Sequence, residues 1–166
     1  MPDYEADAAR VFDCLKASGI AIVHMDVAYA IMSGTEDALR RVYAAKERSF
    51  DRPSGIVANQ NTHSEIQIVD KTAGEIINTV TMVHNLPLSI IAPYRTDHPL
   101  MQQITPFLRG MSTKAGTVNF LLNASPLRDQ IAELSLKANF PLMASSAKNS
   151  LMRDPPFTFE RIQTAL

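Results

Sequence analysis

The 166-residue sequence is short of several things that would each have marked a function class. Its single cysteine, Cys14, excludes an internal disulfide and fits a reducing compartment. Lys plus Arg number 16 and Asp plus Glu 17, so the net charge is −1 and no global field draws the chain to nucleic acid. Any basic site must therefore be local. No apolar run approaches the ~18 residues of a membrane span, and Met1 to Arg10 is too acidic and polar for a secretory signal. Together these point to a cytoplasmic protein with no membrane partner. Glycine-rich phosphate loops are absent, as are internal repeats and low-complexity segments. The four histidines, His24, His63, His84 and His98, stand in separate segments without a His-x-x-x-His or cysteine pair, so no metal site is expected.

What remains is an ordinary globular composition, 46% hydrophobic and 20% charged, on a length that suits one domain over residues 1–166. Ala8, Val11, Phe12 and Leu15 recur at helical spacing, which predicts a first helix over 4–18 stopped by Gly19. A short apolar run, 20–23, reads as a buried strand, and 35–48 as a second helix. Residues 56–58 read as another covered strand, and 59–64 as a polar loop. The stretch 65–69 fits a short strand or a helix start. Ile76, Ile77 and Val80 indicate a third helix. Residues 88–92 sit between Pro87 and Pro93, as an edge strand would. After an irregular stretch with a modest helix at 100–108, a β-prone run covers 117–122. Ser125-Pro126 then starts a helix with Leu127, Ile131, Leu134 and Ala138 inside and Asn139 as its left-handed cap. Pro141 leads to a small-residue loop at 145–150, and Thr158 caps a last short helix. Strands alternating with helices predict an α/β fold, and the spacing of 88–92 leaves room for antiparallel pairs in a mixed sheet.

The chain is organised around 19–55. A strand there is followed by a loop with His24, Asp26 and Tyr29. The helix after it has Leu39, Val42 and Tyr43 on one stripe, with Lys46 at its end and Arg48 just beyond. Two cations at the mouth of a strand–loop–helix unit make a candidate anion site, although cations also favour helix C-termini by themselves. His24, at the same mouth, is a further candidate ligand contact.

Four segments, in order, make the chain resemble the YrdC family. The family's Pro-Thr-Asp/Glu-x-x-Tyr/Phe-Gly loop falls on His24-Met25-Asp26-Val27-Ala28-Tyr29-Ala30, where Asp26 and Tyr29 match. Its Lys-x-Arg falls on Lys46 and Arg48. Its Pro-Gly-Pro-x-Thr falls on Asn85-Leu86-Pro87-Leu88-Ser89, keeping Pro87 and a hydroxyl at Ser89. Its Ser-Ala-Asn-x-Ser falls on Ser146-Ala147-Lys148-Asn149-Ser150, with Lys148 for asparagine. Met25 replaces a threonine, Leu121 stands where the family has a strand arginine, and the sequence stops soon after the last motif.

The resemblance implies a twisted mixed sheet flanked by helices, with an open cleft. It implies threonylcarbamoyl-AMP synthase chemistry: threonine, bicarbonate and ATP, the last taken with Mg as a substrate, give an adenylate that serves tRNA modification. Lys46 and Arg48 would then hold phosphate or bicarbonate as the catalytic pair. Asp26, Tyr29, Ser89, Ser146, Lys148 and Ser150 would bind substrate. The alternative is a relative without catalysis that binds nucleotide, RNA or a protein partner, RNA through a patch of Arg48, Arg52 and Lys148. In either case the expected ligand is ATP or another small anion.

Overall fold

The computed structural model describes residues 1–147. Helix α1, Tyr4–Lys16, starts where the Asp3 side chain accepts from the Ala6 backbone N–H. It buries Ala8, Phe12 and Leu15. The chain turns at Ser18, whose φ of 61° is left-handed, while Gly19 is needed for space. A Cβ there would lie 2.3 Å from Cys14 Sγ and 2.6 Å from Cys14 O.

Strands β1 (Ile20–His24) and β2 (Tyr29–Ser33) form an antiparallel hairpin that pairs His24 with Tyr29. The expected loop from His24 to Tyr29 is thus only its turn, and the second strand was not foreseen. Helix α2, Glu36–Ala45, is capped by the Thr35 side chain and buries Leu39, Val42 and Tyr43, as their spacing predicts. It stops before Arg48, with Lys46 as its cap and Glu47 at φ 48°.

β3 is Gly55–Val57. The expected polar loop after it is instead α3, Gln60–Ile66. Asn59 caps this helix: its side chain accepts from the Thr62 N–H, and the Thr62 hydroxyl accepts from the Asn59 N–H in return. α4, Lys71–Asn78, runs into a π-helical turn, Thr79–Val83. β4, Leu88–Pro93, is followed by α5 (Pro99–Gln102) and α6 (Pro106–Ser112). Thr105-Pro106 splits what periodicity read as one helix, with proline entering at the first turn. β5 (Thr113–Lys114), β6 (Thr117–Leu122), α7 (Pro126–Ala138) and β7 (Met143–Ser146) complete the described chain. The expected loop at 145–150 therefore begins as strand. Asn139, at φ 48°, ends α7 as anticipated.

The sheet order is β1-β2-β7-β3-β6-β4, with β5 paired to β6. Only β3 and β6 run parallel, so the sheet is mixed and mostly antiparallel. Alternation along β3 divides the core. Ile56 joins a cluster with Tyr43, Ile66, Leu100 and Phe120, while Val57 packs with Phe12, Leu15, Ile131 and Leu142 of the α1–α7 side. Along β6 the residues Val118, Phe120 and Leu122 are buried, and Thr117, Asn119 and Leu121 turn to the other face. Strand β4 at the edge likewise buries Ile90 and Ala92 and exposes Ser89 and Ile91. That less covered side of β4 and β6 is where the cleft forms. No helix among the described residues is long and apolar enough to cross a membrane.

Candidate functional site

A cleft of about 410 Å³ lies over the middle of the sheet. One wall is the hairpin turn, Met25, Val27 and Ala28; the floor is Gly55, Asn119 and Leu121; the end of β7 brings Ser145 and Ser146. Arg48 enters from the loop after α2, Ser89 from β4 and Arg128 from α7. No aspartate or glutamate among the described residues lines it. The lining is mostly apolar with a few converging polar groups, which is how small-molecule sites are built.

The sequence dictates how these groups are held. Arg48 Nη2 donates to Pro53 O at 2.8 Å and its Nε to Arg52 O at 3.2 Å, so the guanidinium clips the loop that follows it. Ser89 and Leu121 are opposite each other in the β4–β6 register, and the Ser89 hydroxyl donates to Asn119 Oδ1 at 2.7 Å. The Asn119 amide nitrogen has no hydrogen-bond partner among the described residues. Lys46 is only 1% exposed: Nζ donates to Ser145 Oγ at 2.8 Å and Ser146 O at 2.7 Å. It thereby fastens α2 to the end of β7 just behind the cleft.

The α7 end of the cleft carries two ionisable neighbours. Arg128 is 2% exposed, and its Nη1 donates to Ala58 O at 2.8 Å and to Leu121 O. Burial lowers its pKa to about 10, with Asp129 working the other way, so the group stays charged at neutral pH. Burial likewise pushes the Asp129 carboxyl up to about 6; Arg128 opposes that and Asp26 adds to it. Arg128 Nε and Asp129 Oδ1 are buried and have no hydrogen-bond partner among the described residues.

No family model matches the sequence, and no curated protein matches it. Solved structures do. Sua5 of P. abyssi, crystallised with L-threonine, superposes with a TM-score of 0.71 at 18% identity, over 97% of this chain and 44% of its own. A hypothetical protein of Streptococcus mutans gives 0.70 at 21% identity, over 82% and 55%. E. coli YciO gives 0.69 at 16%, over 98% and 73%. The fold is YrdC-like. At these identities the likeness concerns the fold, and the chain spans about half the length of the first two.

Within this YrdC-like fold the residues singled out from sequence separate into groups. Arg48, Ser89 and Ser146 line the cleft. Lys46 stands one contact behind it. Asp26, Tyr29 and His24 belong to the hairpin but do not line the cavity. The Asp26 N–H donates to Ala124 O at 2.7 Å, and the His24 and Tyr29 rings meet edge to face at 5.1 Å. Tyr29 O also accepts from the Ala147 N–H. From the matched loop it is Met25, Val27, Ala28 and Ala30 that reach the cleft instead. Lys148 and Ser150 lie outside the described residues.

Sequence reasoning missed Arg128 and Asn119. For Arg128 the spacing of apolar residues gave no signal, because a charged side chain does not register in an apolar stripe. For Asn119 the signal was its position between Val118 and Phe120, on the polar side of an alternating strand. Among the described residues no group of three His, Cys, Asp or Glu could hold a metal ion.

Proposed function

We propose that this chain is a YrdC-like domain whose cleft binds a nucleotide or another small anion, and that the chemistry it suits is synthesis of a carbamoyl-adenylate of the threonylcarbamoyl-AMP type. The observation that carries the reading is the polar content of the cleft among the described residues: Arg48, the hydroxyls of Ser89, Ser145 and Ser146, the unpartnered amide nitrogen of Asn119, and no carboxylate. Such a surface offers donors to oxygen anions and repels none of them. Two structural neighbours add support. One was solved with L-threonine, and HypF, with a TM-score of 0.66 at 13% identity, was solved in a phosphate- and nucleotide-bound form.

A second reading, binding without catalysis, is favoured by a specific pair of residues. Met25 and Leu121 put apolar groups on the cleft wall where the family resemblance calls for threonine and arginine. A site that lacks such polar contacts loses orders of magnitude against a polar substrate. Incubation with ATP, Mg, bicarbonate and threonine separates the two. Pyrophosphate and threonylcarbamoyl-AMP are expected from the synthase; nucleotide binding without pyrophosphate leaves the binder; and neither binding nor product removes both.

A further inference from the structure

Arg128 has more hydrogen-bonding capacity than the protein uses. Its two Nη1 protons are taken by Ala58 O, just past the end of β3, and Leu121 O in β6. Those two carbonyls pin the guanidinium where the short parallel ladder stops, since β3 and β6 pair only at Ile56–Phe120 and Val57–Leu121. Nε is buried without a partner, and Nη2 makes no hydrogen bond among the described residues. The side chain nonetheless lines the cleft. A whole positive charge thus sits in a 2%-exposed site, held at Nη1, with Nε and Nη2 unspent.

Burying a charge is expensive unless something pairs with it. The adjacent carboxylate does not do so. Asp129 acts on Arg128 through space, but the two form no ion pair, and Asp129 Oδ1 is itself without a partner. Among the described residues nothing acidic lines the cleft to serve instead, which leaves the place open to an anion arriving from solvent.

We infer that Arg128 is a ligand-contacting residue of this cleft and that its Nη2 seats a singly charged oxyanion of carboxylate type. The inference rests on the reading of the cleft as an anion site and adds to it the residue and the ligand class. The class follows from geometry and charge. Of the two unspent nitrogens Nε is buried, which leaves Nη2 to meet a ligand, and one buried charge is matched by one negative charge. A polyphosphate would have to place its excess charge against apolar Met25, Leu121 and Ile56. The half-exposed Arg48 suits that more highly charged group better.

A purely structural Arg128, serving only to tie two carbonyls, makes different predictions from a ligand-binding one. Thermal unfolding of the full chain should be followed with sodium acetate, sodium bicarbonate or sodium phosphate, each against sodium chloride at equal ionic strength. The wild type should gain stability from acetate or bicarbonate. Arg128→Met should lose that gain, with apparent affinity about tenfold weaker or more, as for loss of a charge-assisted hydrogen bond. Its stability without anion should fall as well, because Ala58 O and Leu121 O lose their donor, so the test compares the gain each protein shows over its own chloride control. An equal acetate gain in Arg128→Met overturns the inference and leaves the anion reading standing. No gain from any anion in the wild type overturns both. A gain from phosphate alone, lost in the variant, keeps the residue and overturns the ligand class. Should Arg128→Met fail to fold, the wild type supplies the test by NMR: the Arg128 Nε resonance, identified by its loss in Arg128→Lys, should move on titration with acetate. An unmoved resonance refutes the contact.

Discussion

Replacing Asp129 by asparagine should stabilise the protein at neutral pH and leave it unchanged in mild acid. Asp129 lies in the first turn of α7 with Oδ1 buried and unpartnered. Burial, helped by Asp26 and opposed by Arg128, raises its pKa from 3.8 to about 6. The folded state therefore holds the proton more tightly than the unfolded chain does. Ionisation costs the fold, so stability falls as pH climbs from about 4 to about 6, and the full cost is present above that. A shift of about two units at ~1.36 kcal/mol each sets a ceiling of about 3 kcal/mol. The carboxyl keeps substantial solvent contact, which brings the expected cost down to about 1 kcal/mol. Asparagine keeps the shape and cannot ionise. Urea unfolding from pH 4 to pH 7.5 should give curves that coincide near pH 4 and separate by about 1 kcal/mol at pH 7, about 2–4 °C in Tm. Parallel curves, or a variant less stable at pH 7, would refute the reasoning. They would mean that the carboxylate is solvated or paired in a way that offsets its burial.

Lys46→Ala should cost about 2–4 kcal/mol in chemical denaturation, because it strips Ser145 Oγ and Ser146 O of a buried charged donor. If the protein is a synthase, the same variant should also lose turnover by orders of magnitude; if it only binds, ATP affinity alone should drop. Gly19→Ala should destabilise by about 1–3 kcal/mol, since the new methyl would meet Cys14 O, a backbone atom, at 2.6 Å. Any tRNA binding should weaken with salt, and Arg48→Gln should flatten the log–log slope by about one unit; binding indifferent to salt excludes the phosphate-contact mode.

Much of the fold was legible because its elements announce themselves locally. Ser125-Pro126 and Asn139 bracket α7, and 117–122 alternates as a half-buried strand should. The hairpin partner β2 was not legible. Its residues Ala30, Ile31 and Met32 form a second apolar run, but Asp26-Val27-Ala28 carries no glycine or asparagine to signal the turn. Around α4 the signal was misleading. Ile76, Ile77 and Val80 do not share one buried face where the helix passes into the π-helical turn at Thr79–Val83. The structure buries Ile77 and Thr81 and leaves Ile76 57% exposed.

The site divides along the same line between local signals and tertiary ones. Arg48 could be found because it follows a helix end before a proline, whereas Ser146 was found only through the resemblance of 146–150 to a family motif. Arg128 could not be found that way. Hydrophobic spacing assigned the inner face of α7 to Leu127, Ile131, Leu134 and Ala138, whereas the buried residues are Arg128, Ile131, Ala132 and Ser135. A charged side chain inside a buried stripe is invisible to any hydrophobicity pattern; only the carbonyls that receive it reveal the placement. One of them belongs to Leu121, the cleft residue that stands where the resemblance calls for arginine. The cleft thus draws a cation from a helix packed behind the strand. That cation is tethered at Nη1 and lines the cleft. Charge at the site is thereby kept while its direction of approach is changed. For that reason Lys148→Asn, which restores only one motif residue, is expected to leave synthase activity absent if the wild type lacks it: the geometry at Met25 and Leu121 would still differ.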